Sequence, residues 1–399
     1  MNLESLLASP AFQMSILLFV ALAGYLIAYR INQSAVVGII LAGIVVGPSV
    51  LGLVTYTDFV SSLASLGAIV LLFTIGLEFE LKEIAKPKYF VIALVGVIIP
   101  WVGGFLVAKL FKFDFKASVF IGTALTATSI AITANVLREM GKLQTAAAKA
   151  IIGAAVVDDI LALLALSLAE SVVSGSLAFL PIFLTVIKAV GFIVVGIAFG
   201  KLVLGRLLIR FDHTSMADKY PQSIFIFAMM FAFLYAIAAE LVGLSGIVGA
   251  FLAGVAFEEN SLKGRGHIFK EGAEHLQIIF ASIFFISLGV IMDLRTVTWS
   301  LLLFVLVLTV VAMVSKLIGC GGTAKLQGSG WHDSLIVGVG MIPRGEVAMI
   351  VALIGLNQGL IKQDTYTAVI LMSLLSTVIP PLILRNWLFK GKKPAIAVP

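Results

Sequence analysis

The stretch Val156-Val157-Asp158-Asp159-Ile160 places two adjacent carboxylates inside an apolar run that extends over about residues 146–168. Moving a single ionised Asp to the centre of a bilayer-spanning helix costs about 2.5 to 3.5 kcal/mol. A helix end at the membrane interface would avoid this cost, but apolar residues follow the pair without a turn signal. We therefore expect the pair to meet water or polar partners. Two buried carboxylates side by side do not easily both ionise, so we expect them to hold a proton or a cation.

The composition is that of a polytopic membrane protein. Of the 399 residues, 61% are hydrophobic and 12% are charged, and the mean hydropathy is +1.15. Soluble domains carry about 25% charged residues, so the composition excludes a soluble protein. The single cysteine, Cys320, can form no internal disulfide. The net charge of +6 lies mainly in loops, where it sets membrane topology, and we expect no nucleic-acid partner.

Apolar runs bounded by charge, Gly or Pro predict thirteen transmembrane helices, since one crossing needs about 20 apolar residues. The chain then forms a single all-α transmembrane domain over residues 1–399. The predicted spans cover residues 11–30, 35–54, 59–78, 88–111, 116–138, 146–173, 178–209, 219–240, 243–258, 271–291, 297–322, 332–358 and 363–388.

The distribution of Lys and Arg predicts the orientation in the membrane. An odd number of spans puts the two termini on opposite sides. With the N-terminus outside, the inner loops and helix ends carry 19 basic residues and the outer ones carry 5. The positive-inside rule therefore predicts an outer N-terminus and an inner C-terminus, although a basic cluster around Lys112 opposes it.

The chain contains an internal repeat whose partners lie seven spans apart. The matches pair 34–43 with 245–254, Gly76 and 80–82 with Gly289 and 293–295, and 118–122 with 334–338. Because seven is odd, the two halves enter the membrane in opposite orientations, as in the inverted repeats of secondary transporters. We assign the first repeat to about residues 34–173 and the second to about 243–388, with a substrate site near the bilayer midplane.

In both repeats a segment at the matching place disfavours a continuous helix. The fifth span contains Thr123-Ala124-Leu125-Thr126-Ala127-Thr128-Ser129, whose hydroxyls can bond their own backbone. The twelfth contains Gly338-Val339-Gly340-Met341-Ile342-Pro343, in which Pro343 removes a backbone donor and the glycines weaken the helix. A kink with a Ser/Thr packing face also fits this pattern. We favour discontinuous helices, whose exposed carbonyls, amides and end dipoles form an ion site.

The further charged residues inside predicted spans include Lys316, Arg344 and Glu346. Lys316 either extends to the membrane interface or forms an ion pair with Asp158, which leaves Asp159 for the transported ion. Arg344 and Glu346 are two positions apart, so they would not face each other on a regular helix. A structural role and a transport role fit these two residues equally well.

Motifs spread from Ser34 to Glu346 share the pattern of one family. They are Gly76-Leu77-Glu78-Phe79, Leu125-Thr126-Ala127-Thr128-Ser129, Val157-Asp158-Asp159, Phe285-Ile286-Ser287-Leu288-Gly289 with Asp293, Lys316, and Pro343-Arg344-Gly345-Glu346. The chain resembles the monovalent cation/proton antiporters, in the branch of the Kef-type potassium efflux systems and the NapA- and GerN-type sodium/proton antiporters. The resemblance implies the NhaA/NapA-like fold of thirteen helices, a homodimer held by one subdomain, and alternating access by a six-helix core with crossed discontinuous helices.

The resemblance also implies roles for single residues. Kef-type members usually carry Gln before the Asp, whereas Asp158-Asp159 is similar to electrogenic exchangers, which move two protons against one sodium ion. On that pattern Asp159 binds the ion and Asp158 pairs with Lys316. The residues expected beside the site are Thr126, Thr128 and Ser129, with Pro343, Arg344 and Glu346 as supporting residues.

We therefore expect a secondary active transporter in the lipid bilayer of a prokaryotic cytoplasmic membrane, exchanging Na+ or Li+ for H+ in pH homeostasis. It would need no cofactor and would be no enzyme. A K+/H+ antiporter, a Kef-type K+ efflux protein and a channel remain alternatives. An intramembrane protease is disfavoured, because the two Asp residues of its dyad should come from different helices. No soluble nucleotide-binding domain follows Lys393, so we expect either that gating by such a domain is absent or that the domain has been removed from this sequence.

Overall fold

The computed structural model describes residues 9–79, 86–174, 179–220, 222–257, 266–292, 295 and 298–390, without the side chains of residues 174–182, 266–271, 300 and 346. Within these residues the regular secondary structure is entirely helical. The sequence features predicted at residues 80–82, Asp293 and Lys393 lie outside the described part, as does the side chain of Glu346.

The helices follow one another along the chain with short connections. They are α1 (Pro10–Arg30), α2 (Ala35–Val46), α3 (Asp58–Leu77), α4 (Pro87–Leu110), α5 (Phe115–Ala124), α6 (Ile130–Glu139), α7 (Ala146–Ser174), α8 (Phe179–Phe199), α9 (Gly205–Asp212), α10 (Ser215–Lys219), α11 (Gln222–Leu241), α12 (Gly246–Ala256), α13 (Gly266–Val290), α14 (Trp299–Lys316), α15 (Thr323–Leu326), α16 (Trp331–Gly340), α17 (Glu346–Asn357) and α18 (Gln363–Ile383). Short π-helical segments, Gly200–Leu204, Leu317–Gly322 and Leu384–Leu388, extend α8, α14 and α18.

These helices confirm the predicted all-α membrane fold with thirteen spans. Nine helical stretches among the described residues are long and apolar enough to cross a membrane. The helices α2 and α12 are shorter, and each of the two remaining spans consists of two half-helices, α5 with α6 and α16 with α17. One predicted boundary is wrong: the second span was expected over 35–54, but α2 ends at Val46. Pro48 disfavours the helical conformation at Gly47, which is extended at φ −73° and ψ −177°.

The helices pack in two groups. The first group contains α1, α2, α3, α11, α12 and α13, and the second contains α4 to α7 and α14 to α18. The connecting helices α8 to α10 join the second group to the first along the chain. The carboxylate pair lies on α7, in the second group, and the half-helices belong to the same group.

Close glycine contacts hold the first group together. Gly43 of α2 and Gly289 of α13 cross so closely that a Cβ on either would lie 2.4 or 2.3 Å from a backbone carbonyl of the other helix. Gly76 of α3 and Gly254 of α12 cross in the same way, at 2.3 and 2.2 Å. The repeat alignment pairs Gly43 with Gly254 and Gly76 with Gly289. The crossing of α2 with α13 in one repeat order therefore corresponds to the crossing of α12 with α3 in the other, as an inverted repeat requires.

The π-helical segment Leu317–Gly322 follows Lys316 directly and brings α14 close to its neighbours. A Cβ on Gly319 would lie 3.1 Å from the carbonyl of Val95 in α4, and one on Gly321 would lie 2.8 Å from that of Ser334 in α16. These glycines let α14 pack tightly against α4 and α16. Lys316 is consequently held inside the second group, where it is 0% exposed.

Candidate functional site

Both predicted helix interruptions are present. The fifth span breaks between Ala124 and Ile130, and the twelfth breaks between Gly340 and Glu346. Each break leaves several residues outside helical geometry, so a simple kink with a Ser/Thr packing face does not describe either span. The ends of four half-helices therefore meet inside the second group, with backbone groups that lack intrahelical partners.

Hydrogen bonds join the two interruptions across the crossing. The backbone N–H of Ser129 donates to the carbonyl of Pro343 at 2.8 Å. The hydroxyl of Thr128 donates to the carbonyl of Met341 at 3.3 Å. Farther along α6, the hydroxyl of Thr133 donates to a carbonyl at the end of α16 at 2.6 Å. Each interrupted span thus supplies partners for the other, which stabilises irregular backbone at membrane depth.

Arg344 satisfies carbonyl groups at the end of α5. Its guanidinium donates to the carbonyls of Leu125, of Ala127 at 2.8 Å and of Ala312 in α14 at 3.2 Å. The last carbonyls of a helix carry a partial negative charge, so a cation at this place is stabilised. Arg344 is 1% exposed, and the hydroxyl of Thr377 donates to its carbonyl at 2.7 Å. These contacts hold Arg344 at the crossing, while its role in transport stays a prediction.

Hydrogen bonds at the crossing are equivalent in the two repeats. Extended to the interruptions, the repeat alignment pairs Thr128 with Arg344 and Leu125 with Met341. Thr128 binds the carbonyl of Met341, and Arg344 binds the carbonyl of Leu125. The two repeats therefore make equivalent bonds with different side chains, and the longer Arg reaches additional carbonyls.

Asp158 is bound by Lys316. The Nζ of Lys316 lies 2.8 Å from Oδ1 of Asp158, and both side chains are 0% exposed. Oδ2 of Asp158 has no hydrogen-bond partner within the described part of the chain. Removing one member of such a buried pair leaves an uncompensated charge, which is far more costly than the pair itself. The geometry is that of the ion pair expected from the sequence, while its role in transport stays a prediction.

Asp159 meets a different neighbour. It follows Asp158 by one position on α7 and so points about 100° away around the helix. Its Oδ2 accepts a hydrogen bond from the backbone N–H of Ser245 at 3.3 Å, and its side chain is 8% exposed. Ser245 precedes the first turn of α12 in the first group. The two carboxylates thus have different neighbours: Asp158 faces a lysine of its own group, and Asp159 faces the other group.

Asp159 also lines a cavity of about 610 Å³ between the two groups. The cavity lies toward the end of the molecule where α3 and α18 begin, and its lining includes Tyr56 and Tyr366; we call this the cavity end. Two lining residues, Asp159 and Glu240, carry carboxylates, and none of the described lining residues is Lys or Arg. The cavity therefore favours cations.

A narrower space of about 20 Å³ lies on the crossing side of Asp159, and its lining includes Thr128, Ser129 and Ser245. Hydroxyl, carbonyl and carboxylate oxygens are the ligands that hard cations prefer. The structure therefore brings three of the predicted site residues, Asp159, Thr128 and Ser129, to one small polar space.

Thr126 and Pro343 are not among the described residues that line this space. Thr126 is buried, and its hydroxyl donates to the carbonyl of Thr123 at 2.7 Å, within the end of α5. Pro343 contributes its carbonyl to the bond with Ser129. Glu346 begins α17, but its side chain lies outside the described part. Their roles in ion binding stay predictions.

Two residues of the site were missed by the sequence reasoning. Ser245 was used only as the first residue of the repeated helix, and Glu240 was not singled out. The sequence could have pointed to Ser245, because Ser34 occupies the equivalent position in the first repeat and each of the two residues precedes an apolar helix. Glu240 gives a weaker signal, an acid at the end of an apolar helix.

The sequence was also compared with protein families and with known proteins. The sequence matches the family described as sodium/hydrogen exchanger, transmembrane, over residues 16–390. The chain belongs to this family. Membership in the exchanger family makes it a multi-pass membrane transporter.

Among other exchangers, the chain is 35% identical over 384 residues to the Na(+)/H(+)-K(+) antiporter GerN of Bacillus cereus, with 96% of each chain covered. It is also 35% identical over 366 residues to a Na(+)/H(+) antiporter of Enterococcus hirae, which covers 90% of this chain and 93% of that one. The fold is similar to that of the sodium proton antiporter MjNhaP1 from Methanocaldococcus jannaschii. The TM-score is 0.72 at 15% identity, with 94% of this chain and 95% of that chain covered.

Proposed function

We propose that this exchanger moves Na+, with Li+ as an accepted substitute, against H+ by binding either at Asp159. The observation that carries the proposal is the position of Asp159, which is 8% exposed between an acid-lined cavity and the crossing of the half-helices. Two relatives named as Na(+)/H(+) antiporters support sodium as the cation.

Competition at one carboxylate couples the two ions. Ionised Asp159, with the oxygens of Thr128 and Ser129 in the same space, offers a hard cation an oxygen shell. Protonated Asp159 carries no charge and releases the cation. Since a proton and a cation exclude each other there, the movement of one down its gradient drives the other against its gradient.

The buried ion pair supplies a second exchangeable proton. When Asp158 takes up a proton it releases Lys316, and when it loses the proton the pair at 2.8 Å re-forms. Two protons would then cross for each sodium ion, so transport would move net charge. The pair lies next to the binding carboxylate on α7, which lets the state of one influence the other through the helix.

The test is the current on a solid-supported membrane after a sodium concentration jump. We expect a sodium-evoked current in the parent protein and none in Asp159→Asn. Asp158→Asn should keep sodium-dependent proton flux in a dye assay but lose most of the current. Asp364→Asn, the same chemical change at an exposed acid at the start of α18, should match the parent.

Two results would contradict these assignments. Sodium-evoked current of parental size in Asp159→Asn would remove Asp159 as the binding carboxylate. Proton flux without current in the parent would mean electroneutral exchange, and the role proposed for Asp158 and Lys316 would fail.

Potassium is the second candidate cation. The printed name of the Bacillus cereus relative contains K(+) beside Na(+), and the chain is 35% identical to it. A potassium concentration jump on the same solid-supported membrane distinguishes sodium from potassium as the transported cation. A response to potassium alone would place this chain with the K+/H+ antiporters or the Kef-type efflux proteins.

We further propose that the exchanger works as a homodimer in a prokaryotic cytoplasmic membrane, with the N-terminus outside. In that orientation the cavity end faces the outside, and the described conformation presents Asp159 to the external solution. Alternating access then requires the second group, which carries α7 and the crossing, to move against the first. Cross-linking in native vesicles tests the dimer, and labelling of introduced cysteines from either side tests the orientation.

A further inference from the structure

A network of polar side chains joins the two groups at the end of the molecule opposite the cavity end. Arg138, next to the last residue of α6, donates through Nε to Glu78 at 2.9 Å and through a terminal nitrogen to Glu274 at 3.0 Å. Its other terminal nitrogen donates to the side chain of Gln277. Glu78 follows α3, whereas Glu274 and Gln277 lie on α13. One guanidinium thus connects a half-helix of the second group to two helices of the first.

The neighbours of Arg138 on α6 extend the network to a third helix. Asn135 accepts from Gln277 at 3.2 Å and donates to Glu139 at 3.0 Å. Glu139 accepts from the hydroxyl of Ser34 at 2.6 Å and from the backbone N–H of Ala35 at 3.1 Å, at the start of α2. We call this network the latch; its members are Ser34, Glu78, Asn135, Arg138, Glu139, Glu274 and Gln277.

The latch is partly withdrawn from water. Asn135 and Gln277 are each 8% exposed, and the side chains of Arg138 and Glu78 are 18% and 20% exposed. Charge-assisted hydrogen bonds gain strength in such surroundings, and a network that is broken leaves several groups unpaired at once. Opening the latch would therefore require several of its groups to be rehydrated together.

Further hydrogen bonds join the two groups at the same end. The side chain of Gln144, before α7, donates to the carbonyl of Glu78 at 2.6 Å. Gln33, before α2, donates to Asn386 at 3.2 Å, after α18. At the cavity end the groups are instead separated by the space of about 610 Å³. The molecule is thus closed at the latch end and open at the cavity end.

A second cavity, of about 260 Å³, lies directly at the latch. Its lining includes Asn135, Arg138, Gln277 and Ser282, and no described residue lines both this cavity and the one that contains Asp159. The helix α6 spans the distance between the two regions, from Ile130 beside the crossing to the latch at its other end. A ten-residue helix is about 15 Å long, so a tilt of α6 would change both ends together.

We propose that Arg138, Asn135 and Glu139 are positioning residues that hold α6 against the first group while Asp159 is open to the cavity end. Opening of the latch would free α6 and connect the cavity of about 260 Å³ to the site, while the cavity end closes. The inference deepens the exchange proposed above, because it names the contacts that must break in each transport cycle. It does not depend on which cation is carried.

The first test compares labelling at the two ends. In a background of Cys320→Ala, which removes the only cysteine, Ser282→Cys reports on the latch cavity and Ser65→Cys on the cavity end. Adding Arg138→Gln should raise the rate at which a membrane-impermeant thiol reagent labels position 282 by at least about fivefold. Labelling at position 65 should fall by a similar factor, and Arg138→Lys should restore most of the parental pattern. Arg206→Gln, on an exposed arginine of α9, serves as the control.

The opposite response of the two ends is the deciding readout. A latch that only stabilises the fold would loosen locally, so position 282 would gain labelling while position 65 stayed unchanged. That result would overturn the proposal. Size-exclusion profiles identify any variant that fails to fold, and Glu78→Gln, which weakens the latch from the other group, then replaces Arg138→Gln.

The second test holds the latch closed. In the cysteine-free background, Asn135→Cys with Gln277→Cys is treated with a short bis-methanethiosulfonate cross-linker. Ion exchange should stop on cross-linking and return after reduction with dithiothreitol, while in each single-cysteine variant the reagent should leave the rate at the value measured before treatment. Full exchange in the cross-linked protein would overturn the proposal. Because labelling needs no transported ion, reciprocal labelling without any sodium-evoked flux would instead uphold the latch and contradict the proposed function.

Discussion

Both helix groups contain close glycine contacts, but the second group also contains interrupted helices that are held by polar contacts. In the first group, glycines let backbone meet backbone, as where Gly43 crosses Gly289 and Gly76 crosses Gly254. In the second group, polar contacts of Thr128 and Arg344 join the interrupted helices, and the buried ion pair of Lys316 with Asp158 joins α14 to α7. Close backbone packing allows little rearrangement, whereas polar contacts can exchange partners with water, protons or ions. The comparison indicates a rigid group beside a group that carries the chemistry.

The largest effect on stability should come from breaking the ion pair between Lys316 and Asp158 in the second group. Lys316→Met leaves Asp158 without its partner, and loss of one member of a buried pair costs about 3 to 5 kcal/mol. We expect a large fall in the unfolding midpoint in detergent, because the carboxylate of Asp158 then stays buried without its cation. Adding Asp158→Asn should recover most of the loss. An equal loss in the single and double variants would show that the pair does not stabilise the second group.

A smaller effect is expected from the glycine contact of the first group. In Gly43→Ala the new Cβ would lie 2.4 Å from the carbonyl of Ile286, so the two helices must move apart. Overpacking of this kind costs about 1 to 3 kcal/mol. The matched control is Gly191→Ala on α8, where a new Cβ would lie within 4 Å of no atom from another part of the described chain. Alanine also favours the helix over glycine. Equal unfolding midpoints for the two variants would show that the close glycine contact does not stabilise the first group.

The smallest effect should be on sodium affinity, at Glu240 in the cavity between the two groups. Glu240→Gln removes one of the two carboxylates that line the cavity, so the local concentration of cations should fall. We expect the half-saturating sodium concentration to rise about twofold at low ionic strength, with an unchanged maximal rate. At about 0.1 M ionic strength charges are screened over about 10 Å, and the effect should shrink. Asp58→Asn, an acid outside this lining, is the control; an equal rise in it would deny Glu240 a specific role.

Local sequence signals predicted the helix positions and both interruptions. Hydropathy located thirteen spans because the cost of exposing polar backbone or charge to lipid applies to every crossing segment. Pro343 and the Thr-rich stretch after Thr123 marked the interruptions because they act on their own backbone. The end of α2 was predicted eight residues too late, since apolar residues continue through the Gly-Pro turn after Val46.

The partners of single side chains were harder to predict. Arg344 was left between a structural and a transport role, because the carbonyls that it binds belong to spans distant in the chain. The latch was missed entirely, since Arg138 and Gln277 are 139 positions apart and neither is unusual near the end of a helix.

The sequence by itself determined that this is an all-helical membrane protein with an inverted repeat, two interrupted helices and a carboxylate pair inside a span. Each of these follows from the transfer of residues into lipid or from the conformational limits of Pro, Gly and Thr, which neighbouring residues fix. Only the tertiary structure decided that Asp158 and Asp159 face different helix groups, that Arg344 supports the crossing, and that one end is latched while the other is open. Those features depend on which distant helices pack together, and that depends on the fit of surfaces that no single stretch of sequence contains.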